Sequence, residues 1–248
     1  MTTFKTCYNT IEKRKYQAVV HRSWAERLGD LEALFEEISA DPELVENGRK
    51  GQGCTMQREI GGTNMYVKLY LPGRKSRRLR DLLGSHRAIR EWEAHCRAED
   101  NGIPTALMVV AFTSKKFWNC RHLVLTLPAA GQSVRKMLPA LREHQKQREE
   151  LLRFLGREIA VWHRKGFCHG HLNRSHLFID EAWNLRTIDL EGSFIRKPLP
   201  DGERENNLRQ LRKSLVKNLP DAGEFKILED AYEREFVRSG SQVLATST

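Results

Sequence analysis

Apolar and polar positions alternate along this chain with two periods, and the switch between them divides it. In the first stretch Trp24, Leu28, Leu31, Leu34, Phe35 and Ile38 recur at helical spacing, with Ser23 placed to cap the helix. Asp41-Pro42 ends that pattern and opens a short helix through Val45. Ahead of it only Ala18-Val19-Val20 reads as β, so residues 1–46 are expected to form a helical N-terminal extension. From Asn47 the period falls to two. A glycine-bearing turn, Asn47 to Gly53, leads into a strand from Cys54 to Ile60. Gly61-Gly62-Thr63-Asn64 is a hairpin signal, and Met65 to Tyr70 returns as a strand with Met65, Val67 and Leu69 on one face. Lys68 falls on the other face, where alternation alone makes it a solvated lysine. Residues 85–100 return to a helical pattern, apolar at Ile89 and Trp92 and polar at Glu91, Glu93, Arg97 and Glu99. Asn101-Gly102-Ile103-Pro104 stops it.

Two apolar strands follow, Leu107 to Phe112 and His122 to Leu127, joined by a basic loop at Lys115-Lys116. Pro128-Ala129-Ala130-Gly131 then breaks the pattern and reads as a linker. Beyond it helices dominate: a short one over Ser133–Leu141, and a longer one from about Gln147 with Leu151, Leu152, Leu155, Ile159 and Trp162 on one face. Two more follow, marked by Leu208, Leu211, Leu215 and Leu219, and by Phe225, Leu228, Tyr232 and Phe236. The predicted class is α+β: a β-rich lobe over 47–130, a helical lobe over 131–236, and a disordered tail over 237–248.

Composition narrows this picture a little. The 248 residues are 40% hydrophobic and 30% charged, as in a soluble globular protein. Five scattered cysteines without a CxxC pair give neither a disulfide framework nor a zinc ribbon, which points to a reducing compartment. The N-terminus lacks the apolar core of a signal peptide, and Ala106–Phe112, the longest apolar run, is too short to span a bilayer. A formal charge of +10 favours anionic partners without choosing among nucleotide, nucleic acid and acidic lipid. Arg74, Lys75, Arg77, Arg78 and Arg80 concentrate that charge, either as a solvated face or as a contact for phosphates or an anionic membrane.

The chemistry is densest in residues 166–192. A helix ends at Gly166, and a polar loop carries Cys168, His169, His171 and His176. An apolar triplet, Leu177-Phe178-Ile179, a turn over Asp180–Asn184 and a returning strand then deliver Asp189. By residue type alone several readings compete. With His163 added, the histidines and Cys168 suggest a transition-metal site, but at no standard spacing. A Cys168–His169 nucleophile pair is disfavoured because sequence neighbours point apart on an extended chain. The charge suggests nucleic acid, but no RNA- or DNA-binding motif is present.

The order of these parts resembles a protein-kinase-like fold, in which a His-x-Asp-Leu-x-x-x-Asn loop and a hairpin ending in an acid hold a metal-nucleotide complex over a phosphate acceptor. Within that superfamily the chain is similar to the lipopolysaccharide kinase family, bacterial enzymes that phosphorylate Kdo or heptose in the lipopolysaccharide inner core. Four stretches carry the resemblance: Tyr66-Val67-Lys68-Leu69-Tyr70; Arg90-Glu91-Trp92 with Gly102-Ile103-Pro104-Thr105; the His169–His176 loop, with His176 in place of Asn; and Ile188-Asp189-Leu190. It spans roughly residues 47–236. The resemblance implies a two-lobed fold with ATP and Mg²⁺ between the lobes. Gly51 and Gly53 would line the nucleotide, Lys68 would bind phosphate, and Glu91, or less well Glu93, would orient Lys68. Asp189 would hold the metal with His176 beside it, and His169 would support the loop. It implies ATP-dependent phosphorylation of a core sugar on an anionic lipid-linked acceptor, in the cytoplasm and peripheral to the inner membrane, with no specific nucleic acid.

Three positions depart from the family pattern. His171 stands where the catalytic Asp belongs, Gly170 where an Arg belongs, and Asn207 where an acid is usual. A neutral imidazole at 171 can still accept a hydroxyl's hydrogen bond, so a working His base is one expectation. Loss of transfer, leaving a pseudokinase that binds nucleotide or a protein partner in envelope assembly, is the other.

Overall fold

The computed structural model describes residues 4–48, 53–71, 86–115 and 121–245, with side chains through Arg238. Gly51 and the basic cluster at 74–80 lie outside the described residues. The chain divides into two compact units, Met1–Asp100 with Ala106–Pro128, and Asn101–Thr105 with Ala129–Thr248. The first is built on a sheet and the second is mainly helical, so the class is α+β.

The first unit holds six antiparallel strands: β1 (Tyr8–Glu12), β2 (Tyr16–His21), β3 (Cys54–Ile60), β4 (Thr63–Tyr70), β5 (Met108–Ser114) and β6 (His122–Thr126), in the order β1-β2-β5-β6-β4-β3. Residues 1–46 therefore do more than form a helical extension, because β1 and β2 complete the sheet. Their signal is hidden for two reasons. Strand β2 is buried on both faces, with Ala18 and Val20 in one core and Val19 in the other, which erases alternation. Strand β1 is a largely polar edge.

Three helices follow, α1 (Ala25–Leu28), α2 (Leu31–Ala40) and α3 (Pro42–Glu46). The apolar stripe expected as one helix is broken at Gly29 (φ 60°), and Asp30 rather than Ser23 caps the main piece, accepting from the Glu32 and Ala33 amides. Phe35 of α2 stacks on Phe112 at 4.1 Å, and Phe112 on Tyr16 at 4.7 Å. On the opposite face lies α4 (Arg87–Asp100), burying Ala88, Trp92 and Cys96. The β3–β4 hairpin turns on Gly61 and Gly62, both at positive φ, and puts Met65, Val67 and Leu69 fully inside. Gly53 precedes β3 for a packing reason: a Cβ there would sit 2.3 Å from the Leu69 carbonyl oxygen.

The second unit contains β7 (Gln132–Ser133), α5 (Val134–Ala140), α6 (Gln145–Arg164), β8 (Phe167–Cys168), β9 (Leu177–Ile179), β10 (Leu185–Thr187), β11 (Phe194–Ile195), α7 (Asp201–Leu215) and α8 (Phe225–Ala245). Helix α8 continues through Ala245, so most of the segment expected as a disordered tail is helical. Helices α6 and α8 run parallel: Arg148 pairs with Glu224, Gly156 lies against Leu228, and Arg164 pairs with Glu235. Gly156 sets their separation, since a Cβ on it would meet the Leu228 carbonyl oxygen at 2.4 Å. Arg148 closes the N-terminal end. Its guanidinium bonds both Glu224 oxygens at 2.6 and 2.7 Å and donates to the carbonyls of Leu141 and Arg142.

Arg148→Ala removes the partner of a half-buried carboxylate and the donor to two carbonyls, and should cost about 2–3 kcal/mol. Gly156→Ala forces the helices apart and should cost about 1–3 kcal/mol. Urea unfolding of each variant checks this, and wild-type midpoints would contradict the packing described.

Candidate active site

In the first unit the sheet and α4 bring Lys68 and Glu91 together. Lys68 Nζ lies 3.2 Å from each Glu91 carboxylate oxygen. Tyr70 Oη donates to Glu91 Oε2 at 2.5 Å, and Lys68 Nζ sits 5.1 Å from the Tyr70 ring centroid. Glu91 is buried, although its place in the sequence assigns it to the polar side of the helix. What makes burial tolerable is a cation and a hydroxyl within hydrogen-bond reach. The phase of α4 turns Glu93 away toward Arg97, 3.6 Å distant. A lysine held against a fixed carboxylate presents its charge at a defined point.

In the second unit α6 ends at Arg164, and Gly166 (φ 80°) turns the chain against the Arg196 carbonyl. Strand β8 pairs with β11, the loop 169–176 follows, and the β9–β10 hairpin returns the chain to Asp189. Asp189 adopts φ 58°, a conformation costly for a non-glycine residue and concentrated at functional sites.

His169, fully buried, ties the loop together. Its Nδ1 accepts from the His171 amide at 3.0 Å, so its Nε2 carries the proton and donates to the Ile188 carbonyl at 3.0 Å. One ring thus couples the backbone at 171 to the residue before Asp189. His176 stacks on it with centroids 5.5 Å apart. His176 Nδ1 donates to the His171 carbonyl at 2.9 Å, and its Nε2 faces Asp189 Oδ2 at 3.6 Å. The His171 backbone is therefore pinned on both sides, while its side chain is exposed.

Helix α7 supplies the template for this loop. Asn207 accepts from the His169 amide at 3.2 Å and donates to the His169 carbonyl at 2.5 Å. Gln210 accepts from the Leu172 amide at 3.1 Å, and Ser214 from the Arg174 amide at 3.0 Å. These polar residues at i, i+3 and i+7 share a helix face. Sequence reasoning passed over Gln210, Ser214 and Tyr70. The helical spacing of Asn207, Gln210 and Ser214 between the core leucines was the available signal.

Asn207 Oδ1 also faces His163 Nε2 at 3.2 Å, so that nitrogen donates and Nδ1 accepts from Tyr232 Oη at 2.9 Å. Burial pushes both His163 and His169 down to about 4, Arg204 adding to the effect at His163 and His176 at His169. Gly170 has its own reason: a Cβ there would stand 2.7 Å from the Gly192 carbonyl carbon and 2.8 Å from the Glu191 carbonyl oxygen. An arginine at 170 has no room without moving the segment after Asp189.

The rival readings of the loop fail on geometry. Cys168 is buried and its thiol is pushed up to about 11 by burial, while both His169 nitrogens are committed to the backbone. Among the described residues no three His, Cys, Asp or Glu side chains are grouped to hold a metal ion. A Mg²⁺ ion fits differently, through one carboxylate with phosphate and water oxygens completing its shell. Asp189 offers that carboxylate, whereas Asn173 Oδ1 is turned to the Ser175 amide.

The buried neutral imidazoles predict a pH dependence. Unfolded histidine titrates near 6.5 and these two near 4, so between those limits the unfolded chain binds more protons. Their contribution to stability is complete above pH 6.5 and is lost as pH falls toward 4. Each should cost about 2 kcal/mol at pH 5. Asn207→Asp gives His163 an anionic partner and should shrink this dependence while weakening the neutral-pH fold. Urea midpoints at pH 7 and 5 for both proteins test this, and equal slopes would exclude the neutral network.

Residues 38–235 match the lipopolysaccharide kinase (Kdo/WaaP) family. Two curated relatives, the 3-deoxy-D-manno-octulosonic acid kinases of Xylella fastidiosa strains M23 and Temecula1, are each 36% identical to this chain over 84 residues. That stretch is 34% of this chain and 31% of each relative, so the match spans about a third of their length. With most of its length matched and its sheet-based and helical units in family order, the chain belongs to the lipopolysaccharide kinase (Kdo/WaaP) family and has its kinase-like α+β fold.

Proposed function

We propose that this protein transfers a phosphoryl group from ATP to a sugar hydroxyl, Kdo or heptose, of the lipopolysaccharide inner core. The observation that carries this reading is the His169 bridge, which makes His171 and Asp189 parts of one hydrogen-bonded assembly. Lys68 binds phosphate oxygens, and Glu91 with Tyr70 fixes where its ammonium stands. Asp189 provides the carboxylate for Mg²⁺, and His176 stands beside it, with Nε2 3.6 Å from Oδ2. The metal, when bound, neutralises charge on the phosphates. His171 accepts the hydrogen bond of the acceptor hydroxyl and takes up its proton through an imidazole nitrogen. The named activity of the Xylella relatives favours Kdo as acceptor. Among the described residues no helix is long and apolar enough to cross a membrane, which suits peripheral contact with a lipid-linked substrate at the inner face of the envelope.

One observation favours a second reading, a pseudokinase that binds nucleotide and serves envelope assembly as a partner. Among the described residues the exposed His171 imidazole has no hydrogen-bond partner to orient it, unlike His169 and His176.

Calorimetry with Mg-ATP separates these readings from a site that binds nothing. Wild-type protein should bind, and Asp189→Asn should weaken binding tenfold or more. With lipopolysaccharide core as acceptor, His171→Ala should then lower turnover by about 10²–10⁴ while nucleotide affinity holds. Nucleotide binding without turnover in the wild type would establish the pseudokinase. Absence of Mg-ATP binding by folded protein would reject both.

A further inference from the structure

The parallel helices α6 and α8 leave a groove of about 340 Å³ on the surface of the second unit. Arg153 and Arg157 line it from α6, and Arg234 and Arg238 from α8. All four side chains are exposed. The close approach at Gly156 is what places the two arginine pairs along a single groove.

Two acids also line it, and both are already engaged by cations outside the groove. Asp230 pairs with Lys226 at 3.0 Å, and Glu235 with Arg164 at 2.9 Å. Arg153 reaches Glu149 at 2.8 Å. Among the described residues Arg157, Arg234 and Arg238 have no carboxylate partner, so the groove keeps a net positive charge. Guanidinium forks at this spacing suit phosphate oxygens, which they bind in bidentate fashion.

A second observation stands beside the groove. Trp183, 46% exposed, tips the β9–β10 turn, and its ring meets Phe154, the residue next to Arg153, edge-on at 5.1 Å. Its backbone is left-handed at φ 58°, and Asp180 holds the turn by accepting from the Ala182 and Asn184 amides. A rigid turn thus presents a large amphipathic ring to solvent against the helix that carries Arg153 and Arg157. Tryptophan beside arginine is the chemistry of a bilayer interface, where indole settles at headgroup level and basic side chains meet lipid phosphates.

We propose that this groove and Trp183 form a docking surface for the headgroups of anionic phospholipids, distinct from the basic cluster at 74–80. It goes beyond the phosphotransfer reading and needs neither nucleotide nor acceptor.

The test is flotation of the full chain with vesicles of phosphatidylcholine alone and of phosphatidylcholine with phosphatidylglycerol. Wild-type protein should partition only onto the anionic vesicles, and less at high salt. The triple variant R157S/R234S/R238S should lose roughly a hundredfold in partitioning, with its thermal melt unchanged because all three positions are exposed, and Trp183→Ser should lose several-fold. A variant with serines at 74–80 should retain most of the binding. Equal partitioning of wild type and triple variant, or loss that follows the 74–80 substitutions instead, would overturn the proposal. So would saturable binding of inorganic phosphate in the groove without vesicle binding, which would make it a site for a soluble anion. Because the assay contains no nucleotide, its result is independent of whether the protein proves to be a kinase.

Discussion

The pairing of the Asn207 side chain with both backbone groups of His169 is the constraint on which the second unit depends. A buried peptide amide and carbonyl each need a partner, and leaving one unmade costs about 1–3 kcal/mol. A carboxamide satisfies both from one side chain, because it carries a donor and an acceptor; an ionised carboxylate carries acceptors only. Once the Asn207 amide is oriented in this way, the oxygen that accepts from the His169 amide can only accept from His163 as well, so His163 Nε2 donates to it. His163 Nδ1 must then accept from Tyr232. The direction of each hydrogen bond follows from the one before it, and the whole chain from α8 to the loop is uncharged. At the other end the His169 tautomer is set the same way, by the His171 amide and the Ile188 carbonyl.

The two parts of the candidate site hold their buried polar groups by opposite means. The first buries a charged pair, Lys68 with Glu91, and Tyr70 shares the carboxylate. A buried ion pair is a weak source of stability, since desolvation offsets much of its attraction. Its value, on the proposed function, is that a cation is fixed in place for an anion to bind. The second unit holds its loop through neutral imidazoles and amides, and there charge would be harmful: a proton on His169 would turn the acceptor of the His171 amide into a donor and break the bridge toward Asp189. Fixed charge at Lys68 and excluded charge in the loop form a division that suits the proposed phosphoryl transfer, which is mostly positioning and electrostatics.

Much of this was legible in the sequence, and the failures have physical causes. The β3–β4 hairpin, α4, the boundary at Pro128 and the helices of the second unit follow from period and turn chemistry. The loop and the hairpin that leads to Asp189 stand out as polar residues between apolar strands, and the roles expected of them come from the resemblance to kinases. Strand β1 escapes because it is a polar edge, and β2 shows only as the short run Ala18-Val19-Val20 because burial on both faces removes its alternation. Glu91 reads as a surface residue until the partners that permit its burial are known, and those lie on a strand more than twenty residues away. Asn207, Gln210 and Ser214 look like the solvated side of an amphipathic helix. In space that side faces a backbone loop rich in unpaired amides, and a one-dimensional pattern cannot distinguish water from such a loop.

The three departures from the family pattern are not alike. Gly170 and Asn207 are each matched by contacts that a more usual residue would break: the first lies against the backbone at Glu191 and Gly192, and the second serves a carbonyl that an acid could not. A loop that had merely decayed would leave groups unpaired, and the loop backbone at 169, 171, 172 and 174 is paired throughout. His171 differs from both. Its backbone is held as tightly as any in the loop, yet its side chain is exposed and, among the described residues, its ring makes no hydrogen bond. Structural demands account for the positions on either side of it and for none of the chemistry at its imidazole. The identity of residue 171 is thus the one feature of the loop that packing leaves undetermined, and the choice between transfer and mere binding rests there.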